Sequence, residues 1–252
     1  MADALAVRTD FKLLHPLRVR WAEVDLQKIV FNPHYLMYVD TAIADYWRAL
    51  ALPYERTLAA LGGELFVRKS TLEFHASAVY DDRLDVGLRC GRIGNSSIQF
   101  VSGIFRGDAL LVGAELIYVF ADPVAKVALP VPALLRATML GFEQAAPVVS
   151  TEIGSWSALK HPVAELRATD SDDAQALHCV LRNALGEPVA TARLRSDARA
   201  KRGSAAELEA VDGVAVWEPL RGARWGRAAA LALIEHAKTS PKEGPYLSCA
   251  KA

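Results

Sequence analysis

A chain of 252 residues allows one large domain or two modest ones, and its 52% hydrophobic and 23% charged residues exclude disorder over the whole length. With 29 Lys plus Arg against 29 Asp plus Glu the formal charge is +0, so no global field draws the chain to nucleic acid or to an anionic membrane, and an anionic ligand must be held by a local site. Cys90, Cys179 and Cys249 stand apart and leave an odd thiol, which argues against a disulfide framework and a zinc site and predicts a cytoplasmic setting. Asp3, Arg8 and Asp10 interrupt the apolar run that an export signal needs, and Ala228 to Ile234 is too short to span a bilayer, so no membrane segment is expected.

In chain order, LRVRW at Leu17 to Trp21 predicts a strand, followed by the charged loop AEVDLQK. From Tyr35 the apolar positions Leu36, Val39, Ile43, Tyr46, Trp47 and Leu50 recur at steps of three and four, one helical stripe, and Asn32-Pro33 supplies a helix start in which the Asn side chain caps. Alternating stretches follow at Leu65 to Tyr80, Leu84 to Ile93, Ser97 to Arg106 and Ala109 to Phe120, separated by Asp81-Asp82, Gly94-Asn95 and Gly107-Asp108. Their short links imply antiparallel pairing of successive strands, hence an α+β unit of β-α-β-β-β-β order with one long helix on a curled sheet.

A short helix is expected at Ala133 to Phe142, then a linker, AAPVVSTEIGS, that divides the chain into domains 1–147 and 148–252. Beyond it, Leu177 to Leu194 predicts a hairpin turning at Asn183 to Glu187, Glu207 to Trp217 a strand, Gly226 to Lys238 an amphipathic helix, and Tyr246 to Ala250 a last apolar stretch.

The segment DLQKIVFNPHY, starting at Asp25, places a carboxylate in a loop just before a helix N-terminus; alone it reads equally as a turn former. WAEVDLQKIVFNPHYLMYVDTA resembles the signature of the hotdog-fold acyl-CoA thioesterases of the 4-hydroxybenzoyl-CoA thioesterase and YbgC/FadM type. The likeness covers roughly residues 15 to 143 and includes DDRLDVGLRCGRIGNSSIQF and ELIYVFAD; its most specific positions are Asp25, Val30, Phe31, Pro33 and Tyr35. Lys28 stands where many members have Gly.

The resemblance implies that Asp25 attacks a thioester carbonyl or activates a water. Backbone N–H groups at the helix start, chiefly that of Asn32 with His34 as the second available donor, then stabilise the oxyanion. The His34 side chain is a second polar candidate, Ser97 a weaker one after a Gly-Asn turn, and Tyr35 a core residue. Arg89, Arg92 and Arg106 lie on strands and are candidate partners for coenzyme A phosphates, although solvated sheet arginines are commoner. Glu73 and His75 share a strand face, read as polar surface. The substrate is a coenzyme A thioester, no separate cofactor or metal is implied, and the family's habit of building its site between subunits predicts a homodimer or homotetramer.

In the second half, GEPVATARL and VAVWEPLRGARWGRAAALALIEHA resemble the GNAT acetyltransferases, whose Arg-x-x-Gly-x-Gly loop wraps a pyrophosphate with backbone N–H groups. Here the loop reads Arg221-Gly222-Ala223-Arg224-Trp225-Gly226, with Arg224 at the middle Gly position, and the chain stops at Ala252. The expectation is therefore a smaller, truncated GNAT-like α/β domain, structural or CoA-binding through Gly222 and Gly226. An acyl-CoA thioesterase is the leading reading; a CoA-thioester-binding scaffold and a GNAT-type N-acetyltransferase are the alternatives.

Overall fold

The computed structural model, which describes residues 6–196 and 209–239, contains two compact units, 1–146 and 147–252. Cys249, the stretch Tyr246 to Ala250 and the first two residues of the expected strand at Glu207 lie outside the described residues.

Unit one comprises β1 (Leu13–Arg18), α1 (Asn32–Ala49), α2 (Tyr54–Ala60), β2 (Glu64–Phe74), β3 (Arg83–Ile93), β4 (Ser97–Arg106), β5 (Ala109–Ala121) and α3 (Ala133–Glu143). Its five strands are antiparallel throughout, in the order β1-β3-β4-β5-β2. Tyr35, Tyr38, Val39, Ala42, Ile43, Tyr46 and Trp47 are the buried stripe of α1, which packs on β1 and β3. Tyr46 meets Phe100 and Phe142 edge to face and its hydroxyl donates to Glu143 at 2.6 Å, fastening α3 to α1.

The strand expected at Leu17 to Trp21 instead runs Leu13–Arg18, and it admits Pro16 because β1 is an edge strand whose lost N–H breaks no ladder. Leu65 to Tyr80 is not one strand: β2 ends at Phe74, and the chain turns through Asp81 at φ +72 before β3. Nor do all successive strands pair, since β2 lies at the far edge against β5. The helix cap also differs. Phe31 is the N-cap of α1, with no side-chain cap bond, and Asn32 and Pro33 are its first residues.

Gly87, Gly103 and Gly113 are aligned across β3, β4 and β5. A Cβ on Gly87 would lie 2.5 Å from the Phe11 ring and one on Gly103 2.7 Å from the Phe105 ring, and these two rings pack edge to face at 5.7 Å. The missing side chains leave a furrow that aromatic rings fill.

Unit two comprises β6 (Ser150–Ser155), α4 (Trp156–Leu166), β7 (Leu177–Arg182), β8 (Pro188–Ser196), β9 (Glu209–Val216) and α5 (Trp225–Thr239). Its strands form an antiparallel meander in sequence order. Part of the expected linker is therefore strand β6. Helix α4, not anticipated because Pro162 sits inside it, packs through Leu159, Val163 and Trp156 onto Val180.

Beneath α4 lies a charged cluster. Arg193, 7% exposed, donates to Asp212 at 2.6 Å, to Asp170 at 2.5 Å and to the fully buried Asp173 at 3.0 Å. Arg167 grips Asp173 from the other side, and Arg195 reaches Asp212 at 2.6 Å. His178, also fully buried, sets Nε2 2.9 Å from the Asp173 carbonyl, and its ring packs on Trp156.

Burial opposes the charged forms of Asp173 and Asp212, but hydrogen bonds from the arginines outweigh it and hold both carboxyls below their usual range; the Arg193 bond does the same for Asp170. Burial lowers His178 below its ordinary value, helped by Arg167 and Arg193 and opposed by Asp173.

These directions predict acid sensitivity. A group whose folded pKa is depressed contributes its stability above the unfolded value and loses it as pH falls. Unit two should weaken first as pH drops below about 6.5, where an unfolded histidine takes up a proton, and more steeply below about 4, where unfolded carboxyls do. Urea unfolding from pH 8 to 3 checks this; unchanged midpoints across that range would exclude it, and His178→Gln should remove the upper stage.

Candidate active site

Asp25 lies in the turn between a short helical turn, Trp21–Glu23, and the start of α1. Its N–H donates to the Ile29 carbonyl and its own carbonyl accepts from Lys28, both at 2.9 Å, while Oδ1 accepts the Gln27 N–H at 2.7 Å. The turn closes because Lys28 takes φ +63, the left-handed conformation that glycine adopts freely and a side chain adopts at a cost of about 1 kcal/mol.

The turn is anchored by groups the sequence reading passed over. Glu23, nearly fully buried, accepts the Tyr38 hydroxyl at 2.8 Å and the Arg20 backbone N–H and side chain, each at 2.7 Å, and its carbonyl accepts the Phe31 N–H at 2.9 Å. Burial pushes the Glu23 carboxyl up, but the Arg20 and Tyr38 bonds outweigh it and keep it below its usual range. The Arg20-x-x-Glu23 spacing, opposite charges three residues apart, was the available signal. Tyr35 is a core residue whose hydroxyl accepts the Ala78 N–H at 2.9 Å, and the Val30 N–H reaches the Ala78 carbonyl, so the turn before α1 and the segment after β2 are tied together.

In front of this turn opens a cleft of about 820 Å³, lined by Asp25 and His34 among apolar and aromatic side chains. Trp21 and Tyr80 pack edge to face there at 5.6 Å between centroids, yet are 75% and 51% exposed. Phe31 lines the same cleft, and Leu26 is fully exposed. His34 Nδ1 is buried with no hydrogen-bond partner.

The other candidates are distributed differently. The His34 N–H donates to the Phe31 carbonyl at 2.9 Å, which leaves the Asn32 N–H, at the first helical position and without an intrahelical acceptor, as the donor at the helix start. The Asn32 side chain is exposed and does not line the cleft. Arg89 and Arg92 lie six and nine residues into β3 from Arg83, roughly 20 and 30 Å along the strand. Ser97 lies past the far end of β3, where its carbonyl accepts the Gly94 N–H at 2.8 Å. Within one protomer the sheet therefore separates these three residues from Asp25. Arg106 pairs with Asp82 at 2.9 Å, and Glu73 and His75 are exposed.

In unit two, Gly222 takes φ +93 and Arg224 φ +64, so the middle position of the loop keeps a glycine-like backbone. Gly226 has a packing reason: a Cβ there would lie 2.8 Å from Val214, where α5 presses on β9. Among the described residues no cluster of three His, Cys, Asp or Glu could hold a metal ion, and no helix is long and apolar enough to cross a membrane.

Residues 27–113 match the sequence model of the thioesterase superfamily, a match that begins two residues after Asp25. The acyl-CoA thioester hydrolase YbgC of Escherichia coli O6:H1 is 28% identical over 109 residues, 43% of this chain and 81% of that protein. Among solved structures, the 1,4-dihydroxy-2-naphthoyl-CoA thioesterase from Synechocystis covers 50% of this chain and 94% of its own, at 18% identity and a TM-score of 0.47. A thioesterase-superfamily protein from Jannaschia sp. CCS1 covers 51% and 90%, at 20% identity and a TM-score of 0.48. The N-terminal half thus carries a hotdog-like thioesterase-superfamily domain.

Proposed function

We propose that this protein hydrolyses acyl-CoA thioesters at the cleft in front of α1. The observation that carries the reading is Asp25 itself: a carboxylate with one oxygen held by the Gln27 N–H, lining an apolar cleft at the start of a long helix. As nucleophile it forms an acyl anhydride and releases the coenzyme A thiolate, after which water frees the acid; as general base it delivers a water directly. In both routes the carbonyl oxygen gathers negative charge, which the Asn32 N–H and the positive end of α1 are suited to stabilise. His34, which lines the same cleft, is a polar group able to orient a water or the thioester.

The exposed Phe31, Met37 and Phe74 and the free edge of β2 support a homodimer or homotetramer as the active species. Such a partner is also the route by which Ser97, Arg89 or Arg92 could approach a site remote from their own. For the second unit, the strand, helix, meander and helix order and the left-handed Arg224 support a degenerate GNAT-like domain without acetyl transfer.

The test is thiol release from short, long and aromatic acyl-CoAs by the full chain and by residues 1–146, with light scattering on the active fraction. Hydrolysis by both forms, from a dimer or larger species, is expected. Acetylation of an amine panel from acetyl-CoA, without thioester hydrolysis, would overturn the assignment.

A further inference from the structure

We propose that Lys28 is a specificity residue of this cleft and holds an anionic group of the thioester substrate by ion pairing, an assignment that rests on the thioesterase reading. Lys28 is the single Lys or Arg among the residues lining the cleft. Its side chain is exposed and forms no ion pair among the described residues, Asp25 included. The remaining walls, apart from Asp25 and His34, are apolar or aromatic, so no neighbouring carboxylate other than Asp25 competes for the ammonium. Low-polarity walls also screen a charge less than open water does.

Position defines what the cation can reach. Asp25 and Lys28 end one tight turn closed by the Lys28 N–H to the Asp25 carbonyl, and the end Cα atoms of such a turn lie within about 7 Å of each other. Both residues line the same cleft, so the ammonium can swing towards a thioester that Asp25 addresses. Lys28 holds φ +63, a backbone conformation that favours glycine. The anion can come from two sources: a carboxylate on the acyl group, or the phosphates of the coenzyme A carrier.

The experiment measures kcat and KM for acetyl and succinyl thioesters, each on coenzyme A and on uncharged N-acetylcysteamine, with the full-length protein and its Lys28→Gly, Lys28→Asn and Lys28→Arg variants. Gly and Asn both tolerate the left-handed backbone, so a loss shared by them reports the charge and not the turn. Loss of one exposed ion pair should raise KM for the anionic substrates about twofold to fivefold in both neutral variants, with kcat unchanged within error, and Lys28→Arg should restore most of it.

A penalty confined to succinyl thioesters on both carriers identifies the acyl carboxylate. One confined to coenzyme A thioesters identifies the phosphates. Either upholds the assignment. Wild-type KM values for all four substrates in both neutral variants would overturn it while leaving the hydrolase reading standing. A wild-type protein that cleaves none of the four, nor the wider acyl-CoA panel, overturns the hydrolase reading and this assignment with it.

Discussion

Replacing Asp25 by Asn should lower thioester turnover about 100-fold to 10,000-fold while the protein stays folded, the loss typical of removing a positioned acid or base. The substitution keeps an oxygen to accept the Gln27 N–H, so the turn before α1 closes as before and only the anionic oxygen is lost. Loss of the whole activity with unchanged circular dichroism supports the assignment, and turnover at the wild-type rate would remove Asp25 from the chemistry. In a single turnover in heavy-oxygen water, label entering the Asp25 carboxylate marks the nucleophilic route with water opening the anhydride at the Asp25 carbonyl, whereas trapping of an acyl-Asp25 species with hydroxylamine marks that route whichever carbonyl water attacks. Asn at this position would also abolish that label.

Arg193→Met is expected to destabilise unit two by about 3 to 5 kcal/mol, because it leaves the fully buried Asp173 with one cationic partner where it had two. Asp170 and Asp212 lose a partner in the same step. For a domain of this size that loss lowers the melting temperature by more than about 10 °C, readable by calorimetry. Lys at position 193 should recover only part of it, since a point charge cannot serve three carboxylates as a planar fork does. A melting temperature within about 2 °C of wild type would show that the cluster is not what holds this unit together.

What the amino-acid sequence revealed followed the range of the interactions. The stripe of α1 and the turns at Gly94-Asn95 and Gly107-Asp108 are local, and both helix and hairpins could be read from spacing alone. The sheet order could not, because β2 finds its partner in β5, across two intervening strands, and no local pattern encodes that choice. Helix α4, which begins just after the stretch that reads as linker, was hidden by Pro162 inside it.

The site divides in the same way. Asp25 and His34 come from one continuous segment and were visible together, whereas Tyr80 reaches the cleft from the turn after β2. Glu23 looked like one more charge in a solvated loop, and only its burial against Tyr38 and Arg20 shows that it anchors the turn. Residue type also says nothing of backbone sign, so the left-handed Lys28 and Arg224 were legible only as departures from glycine.

The furrow of Gly87, Gly103 and Gly113 ties a surface segment to the far side of the same unit. Phe11 lies in it as a key lies among wards that have been filed away, and the residues beside it act as its handle: Arg8 reaches Asp85 at 2.8 Å, and Lys12 donates to the last carbonyls of α3. Filling the furrow at position 87 would therefore lift the ring, draw Arg8 from β3 and release the end of α3. The freedom of the leading segment to vary is thus set by a hole in the middle of a sheet, and substitutions at Phe11 and at Gly87 become dependent on one another although the two residues are far apart along the chain.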